Sequence, residues 1–240
     1  MKYKIIIFDI GKTLLDKQVS PKISEQVLAD IKALQDEGIK VGVCTMRTIK
    51  HCREIIPFEL DFYICLNGSH ITCDGTVIFD SHVTHSNIPS NYLSYGSEYA
   101  FYSTETAKQK ALENGFLVDK NGVADPAYNL VFFDVEKKQL SAFSSYNTEY
   151  WEKTKTISLQ SKNSSKRLGI QKVLDYYRLQ EPLLYFGDGP NDLPIFQQYH
   201  DCICMGDGYP ELKKYALFET KSCKDEGVSY ALRALEILLH

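Results

Sequence analysis

Leu183-Leu184-Tyr185-Phe186-Gly187-Asp188-Gly189-Pro190-Asn191-Asp192 runs from an apolar stretch straight into a glycine turn carrying two carboxylates within five residues. A short apolar run bounded by Gly and Pro reads as a buried strand, here Leu183–Phe186, followed by a tight turn. Acidic groups at the end of such a strand stand where ligands bind if the sheet is parallel. The chain opens with the same pattern. A β-branched run, Lys4–Ile10, carries Asp9 at its end and is bounded by Gly11.

The stretch between the N-terminal strand and the next one argues for a parallel sheet. Ile23, Val27, Ile31 and Leu34 recur at helical spacing; Ser20 is placed to cap that helix, Pro21 falls in its first turn and Gly38 ends it. Lys40–Cys44 then reads as a strand, so strand, helix and strand form a βαβ unit. A short helix near Ile49–Ile55, a strand over Phe62–Leu66 ending at Asn67-Gly68, and a hairpin of Ile71–Cys73 and Thr76–Phe79 about Asp74-Gly75 follow. From Tyr92 to Trp151 the character changes: 13 of the 29 aromatic residues lie in this quarter of the chain. With a half-exposed strand expected over Asn129–Val135 and a helix over Thr106–Asn114, this stretch reads as an inserted α/β unit. The parallel pattern then resumes, with helices over Leu168–Tyr177 and Leu193–Tyr199, a strand over Cys202–Met205, a short helix before Tyr215 and a closing helix over Val228–Leu239. The fold expected is α/β: a Rossmann-like parallel-sheet core, 1–83 and 157–240, with a smaller α/β cap inserted at 84–156.

Composition narrows the function. At 240 residues, and roughly 150 residues per domain, the chain has room for a core and an insertion. A net charge of −4 without a block of like charge leaves no footprint for nucleic acid or an anionic membrane. The apolar start, Ile5–Phe8, is too short for a signal-peptide core or a membrane span. The seven cysteines are odd in number and scattered, and Cys202-Ile203-Cys204 suits a strand better than a metal knuckle, so they read as reduced, packed side chains of a cytoplasmic protein. No Gly-x-Gly-x-x-Gly follows the first strand, which argues against a dinucleotide-binding enzyme.

Four features fit one active site at the carboxyl ends of the strands. Asp9 is a carboxylate able to attack phosphorus. Thr45, with Met46 and Arg47, offers a hydroxyl and backbone amides to a phosphate oxygen. Lys166 could neutralise both nucleophile and phosphate. Asp188 and Asp192 offer oxygen ligands to a hard cation such as Mg²⁺. Taken singly, Thr45 reads as a helix cap and Lys166 as a surface lysine. Their order, with Asp after the first strand, Thr after the second, Lys before a helix and Gly-Asp-Gly-Pro-Asn-Asp after the next strand, resembles the four motifs of the haloacid dehalogenase superfamily. The closest resemblance is to its Cof-type phosphatases, whose cap lies between the second and third motifs. Met205-Gly206-Asp207-Gly208 and Asp225-Glu226-Gly227-Val228 also look familial.

The resemblance implies Asp9 as nucleophile and metal ligand, Thr45 and Lys166 as phosphoryl-holding residues with Asn191 assisting, and Asp188 and Asp192 at the Mg²⁺ ion. It implies substrate contacts at Met46, Arg47 and Asn67, and a small phosphorylated metabolite as substrate; oligomeric state stays open. One position departs from the pattern. Relatives that hydrolyse phosphate esters carry a second Asp two residues after the nucleophile, which protonates the leaving oxygen and then activates water; here that residue is Gly11. Its backbone carbonyl can still serve the metal, so metal binding should survive while acid–base catalysis, typically worth roughly 10²–10⁴ in rate, is compromised. The expectation is a slow phosphatase, one in which Asp16 or a cap residue substitutes, or a protein that binds phosphorylated ligands without turning them over. Branches that cleave carbon–halogen or carbon–phosphorus bonds carry a different cap and rank low.

Overall fold

The computed structural model describes residues 2–17, 19–84, 89–180 and 182–238. Five strands lie in the first third of the chain: β1 (Ile5–Phe8), β2 (Lys40–Cys44), β3 (Phe62–Cys65), β4 (His70–Cys73) and β5 (Thr76–Asp80). Six follow in the middle: β6 (Tyr92–Tyr95), β7 (Ala100–Tyr102), β8 (Lys120–Asn121), β9 (Asn129–Phe132), β10 (Asn147–Trp151) and β11 (Thr156–Gln160). The last three are β12 (Leu184–Gly187), β13 (Cys202–Cys204) and β14 (Phe218–Glu219). The helices are α1 (Glu25–Asp36), α2 (Ile49–Ile55), α3 (Glu105–Glu113), α4 (Lys166–Tyr177), α5 (Leu193–Phe196) and α6 (Gly227–Ala234).

The larger sheet runs β14-β13-β12-β1-β2-β3-β4-β5, parallel from β14 to β3 and antiparallel across the β4–β5 edge. Its central strand explains its sequence. Ile6 and Phe8 feed the core on one face with Val27 and Ile31 of α1, while Ile5 and Ile7 feed the other with Ile170 and Val173 of α4. All four β1 residues are fully buried, as a parallel strand covered on both faces requires, and each such side chain contributes about 1.5–3 kcal/mol. The smaller sheet runs β10-β11-β9-β6-β7-β8. It ends at Gln160, so the chain leaves it four residues later than the expected return at 157.

Three local expectations are corrected. Helix α1 is capped by Ser24, whose hydroxyl accepts from Val27 N, and not by Ser20. Ser20 instead closes a local turn with Lys22, the competing use of a serine hydroxyl, and Pro21 lies in that turn. Strand β9 is buried throughout rather than half-exposed, because Leu130 and Phe132 pack in the smaller sheet's own core and Val131 on its opposite face. The closing helix ends at Ala234, with Glu236 in a left-handed conformation; Leu239 lies outside the described residues.

Candidate active site

Asp9 follows β1, and its backbone N–H donates to Phe186 O at 2.8 Å, which seats it beside the end of β12. The turn after β12 returns Asp192 to the same point. Asp192 is fully buried: its Oδ2 accepts from the Asp188 and Gly189 N–H groups at 3.1 and 3.0 Å, and its Oδ1 accepts from the Tyr185 hydroxyl at 2.7 Å. Lys166, the first residue of α4, reaches both carboxylates. Its Nζ lies 2.8 Å from Asp9 Oδ1 and 2.7 Å from Asp192 Oδ1 and is 3% exposed as a residue. Thr13 Oγ1 donates to Asp188 Oδ1 at 3.4 Å. Carboxylate oxygens of Asp9, Asp188 and Asp192 lie within 4.8 Å of one another.

One buried cation thus faces three converging carboxyl groups. Burial pushes the Asp9 carboxyl up against the pull of Lys166, and Asp192 adds repulsion. Asp188 is pushed up to about 9 by burial and by the nearby Asp9 and Asp192. Burial alone would lower the Lys166 ammonium, but Asp192 and Asp9 hold it well above its ordinary value. An excess of negative charge on oxygen donors suits a hard divalent cation.

The second and third strands supply the other wall. Thr45 follows β2, with its N–H held by Ile64 O at 2.8 Å and its hydroxyl accepting from Arg47 N at 3.3 Å. Its carbonyl accepts from Asn67 N at 2.9 Å. Leu66 and Asn67 both adopt φ near +52°, and the turn they form sits against the start of α4. A Cβ on Gly68 would stand 2.2 Å from Ser165 O, so this close approach requires glycine and holds Asn67 beside Lys166. Asp9, Gly11, Thr45, Met46, Arg47 and Asn191 line a cavity of about 260 Å³. Asn67, Lys166 and again Asn191 line a neighbouring one of about 230 Å³. Apart from Asp16, which lines a separate groove, the residues singled out in the sequence therefore border these two neighbouring cavities or the carboxylate cluster beside them. Arg47 Nη1 and Asn67 Oδ1 are buried there without a hydrogen-bond partner.

The family model described as haloacid dehalogenase-like hydrolase matches residues 6–232. The chain belongs to the haloacid dehalogenase-like hydrolases. The match is to the Cof-type branch indicated by the motif order. The YkrA protein of Bacillus subtilis, provisionally named a phosphatase, is 26% identical over 260 residues, covering 99% of this chain and all of that protein. A Streptococcus pyogenes protein, provisionally named a bifunctional phosphatase/peptidyl-prolyl cis-trans isomerase, is also 26% identical, over 265 residues; this chain spans 55% of its length. Among solved structures, a phosphatase of the superfamily from Bacteroides thetaiotaomicron has the same fold, with a TM-score of 0.81, 23% identity and coverage of 98% and 96% of the two chains.

In this haloacid dehalogenase-like hydrolase the smaller sheet roofs the cleft with residues that sequence reasoning missed. Along β10, Asn147, Glu149 and Trp151 alternate with Thr148 and Tyr150. Asn147 Nδ2 donates to Ser164 O, Glu149 Oε2 accepts from Asn67 Nδ2 at 3.4 Å, and Trp151 lines both cavities. Tyr150 turns away, its hydroxyl donating to Val135 O at 2.9 Å. The Asn-x-Glu-x-Trp alternation is visible in the sequence, but not which face meets the larger sheet. A second tie joins the sheets at His51 of α2, whose Nε2 lies 3.1 Å from Asp119 Oδ1 and whose Nδ1 lies 3.0 Å from Thr48 Oγ1. Around Gly11 there is room: an added Cβ would meet only Asp9 Oδ2, at 3.9 Å.

Proposed function

We propose that the chain is a Mg²⁺-dependent phosphatase or phosphotransferase of a small phosphorylated metabolite, acting through an aspartyl-phosphate at Asp9. The observation that carries this reading is the Lys166 ammonium lying within 2.8 Å of both Asp9 and Asp192, whose carboxylates cluster with that of Asp188. Asp9 attacks phosphorus while Lys166 balances the charge shared by nucleophile and phosphoryl group. Thr45 and the backbone amides after it bind the phosphoryl oxygens, with Asn191 from the facing wall. Asp9, Asp188 and the Gly11 carbonyl would hold the cation, which when bound neutralises phosphoryl charge. Asp192, already accepting four hydrogen bonds, fixes Lys166 and the 188–189 backbone and completes the cation's acidic surroundings.

Arg47, with a buried unpartnered nitrogen, and Met46 and Asn67 contact the rest of the substrate, whose size the two cavities keep small. We assign the larger sheet to a core of 1–83 and 161–240 and the smaller sheet to a cap of 84–160. Among the described residues no helix is long and apolar enough to cross a membrane. The seven free cysteines, six of them buried, support a cytoplasmic setting.

Hydrolysis of p-nitrophenyl phosphate, whose leaving group needs little protonation, tests the reading. Mg²⁺-dependent turnover that disappears in Asp9→Asn is expected; silence of the parent protein with and without Mg²⁺ would refute it. One observation favours a second reading, a protein that binds phosphorylated ligands without turning them over: Gly11 has no side chain to protonate a leaving group. That reading predicts phosphate binding without turnover in the same assay.

A further inference from the structure

The open question left by Gly11 is where the proton for the leaving oxygen comes from. Among the described residues lining the two cavities, only two carry carboxyl groups: the nucleophile Asp9 and Glu149. Asp16, the nearby acid in sequence, lines a separate groove with Cys223 and Val228. His51 has both ring nitrogens engaged, by Thr48 and Asp119. The Tyr150 hydroxyl is turned away to Val135 O.

Glu149 is held over the site by its strand. The side chain of Asn147 ties β10 to the segment just before Lys166, and Trp151 packs edge-on against Phe116 at 5.7 Å between ring centres. Between these anchors, Glu149 projects to the Asn67 amide, whose backbone is bonded to Thr45. The carboxyl group thus reaches the site from the smaller sheet, in a cavity that shares Asn191 and Trp151 with the one holding Asp9.

We propose that Glu149 is the general acid and base of this site, doing from the cap what the residue at Gly11 lacks the side chain to do. The inference rests on the phosphatase reading above. In the first step Asp9 Oδ bonds to phosphorus as the phosphorus–oxygen ester bond breaks; the Glu149 carboxyl proton passes to the departing oxygen, giving a free alcohol and a Glu149 carboxylate. In the second step that carboxylate takes a proton from water as the water oxygen bonds to phosphorus; the acyl-phosphate bond breaks, restoring the Asp9 carboxylate, protonated Glu149 and inorganic phosphate. The environment supplies the required starting state. Burial pushes Glu149 up to about 8 against the pull of Lys166, with Asp192 and Asp9 adding repulsion, so most molecules hold that proton at pH 7.

The test compares kcat/KM for phenyl phosphate and p-nitrophenyl phosphate, nearly alike in shape but different in their need for a proton on the leaving oxygen. Glu149→Gln is expected to lower the phenyl phosphate value about 100-fold or more and the p-nitrophenyl phosphate value less than about 5-fold. Gly11→Asp added to Glu149→Gln should restore phenyl phosphate turnover, since an added Cβ there meets only Asp9 Oδ2, at 3.9 Å. Equal losses on both substrates, or no loss on either, with Asp9-dependent turnover intact, would overturn the role of Glu149 and leave the phosphatase reading standing. Absence of Asp9-dependent turnover of p-nitrophenyl phosphate in the parent would overturn both.

Discussion

Replacing Lys166 by Met removes the one cation buried among the catalytic carboxylates while keeping the reach of the side chain. Two ion pairs at 2.8 and 2.7 Å disappear. At an effective dielectric constant of about 20, each has a gross Coulomb energy of about 6 kcal/mol. Burying the ammonium costs several kcal/mol in return, so the net loss is smaller. Breaking a buried pair by removing one partner typically costs about 3–5 kcal/mol, because the remaining charge is left uncompensated. For a chain of this size that corresponds to a fall in Tm of roughly 6–20 °C. Thermal unfolding at pH 7.5, followed by circular dichroism without divalent cations, measures it. The pH dependence has a definite sign. In the variant, Asp9 is buried without its cation, so burial raises its proton affinity in the folded state above that of the unfolded chain. The folded state binds more protons, and the defect should shrink as the pH is lowered toward 5. A Tm within about 3 °C of the parent at pH 7.5, or a defect that grows on acidification, would refute the view that Lys166 is the charge keystone of the site.

Divalent cation should stabilise the parent: at 100 times the dissociation constant the gain is about 2.7 kcal/mol, visible as a rise in Tm with added Mg²⁺ that Asp188→Ala abolishes. Gly169→Ala should destabilise by about 1–3 kcal/mol in denaturant titration, since its Cβ would stand 2.6 Å from Ile64 Cγ2 where α4 crosses β3. Arg233→Ala should cost about 1–3 kcal/mol in the same titration, because Asp30, buried on α1, loses a two-pronged partner on α6 at 2.8 and 2.9 Å. Trp151, the single tryptophan, lines both cavities, so its fluorescence should change on adding beryllofluoride with Mg²⁺, and the change should vanish in Asp9→Asn.

The core was legible because a parallel strand covered on both faces must be apolar at nearly every position, as β1 and β12 are, and because its polar interruptions fall where the sheet ends. Asp9, Thr45 and Asp188 stand out against such strands. The same logic fails at Ser20, where hydroxyl, proline and lysine close a turn of their own and the helix starts four residues later at Ser24. Both serines offer the same group to the backbone, and only the tertiary path of the chain decides between them.

The smaller sheet was less legible for a physical reason of its own. Each of its strands has one face toward its own core and another toward the larger sheet or solvent, so alternation reveals two faces without saying which meets which. In β9, Leu130 and Phe132 share one cluster and Val131 another, and the alternation that predicted exposure is an alternation between two cores. In β10 the same ambiguity conceals the site. Asn147, Glu149 and Trp151 look like the polar edge of a strand until the sheet is laid over the carboxyl ends of β1 and β2. Glu149 is then the one carboxyl group besides Asp9 among the described residues that line the two cavities. A motif reading that stops at Gly11 counts a missing acid. The folded chain brings another from 138 positions away, on an element whose strand period fixes its direction and whose contacts with Ser164, Asn67 and Phe116 fix its place.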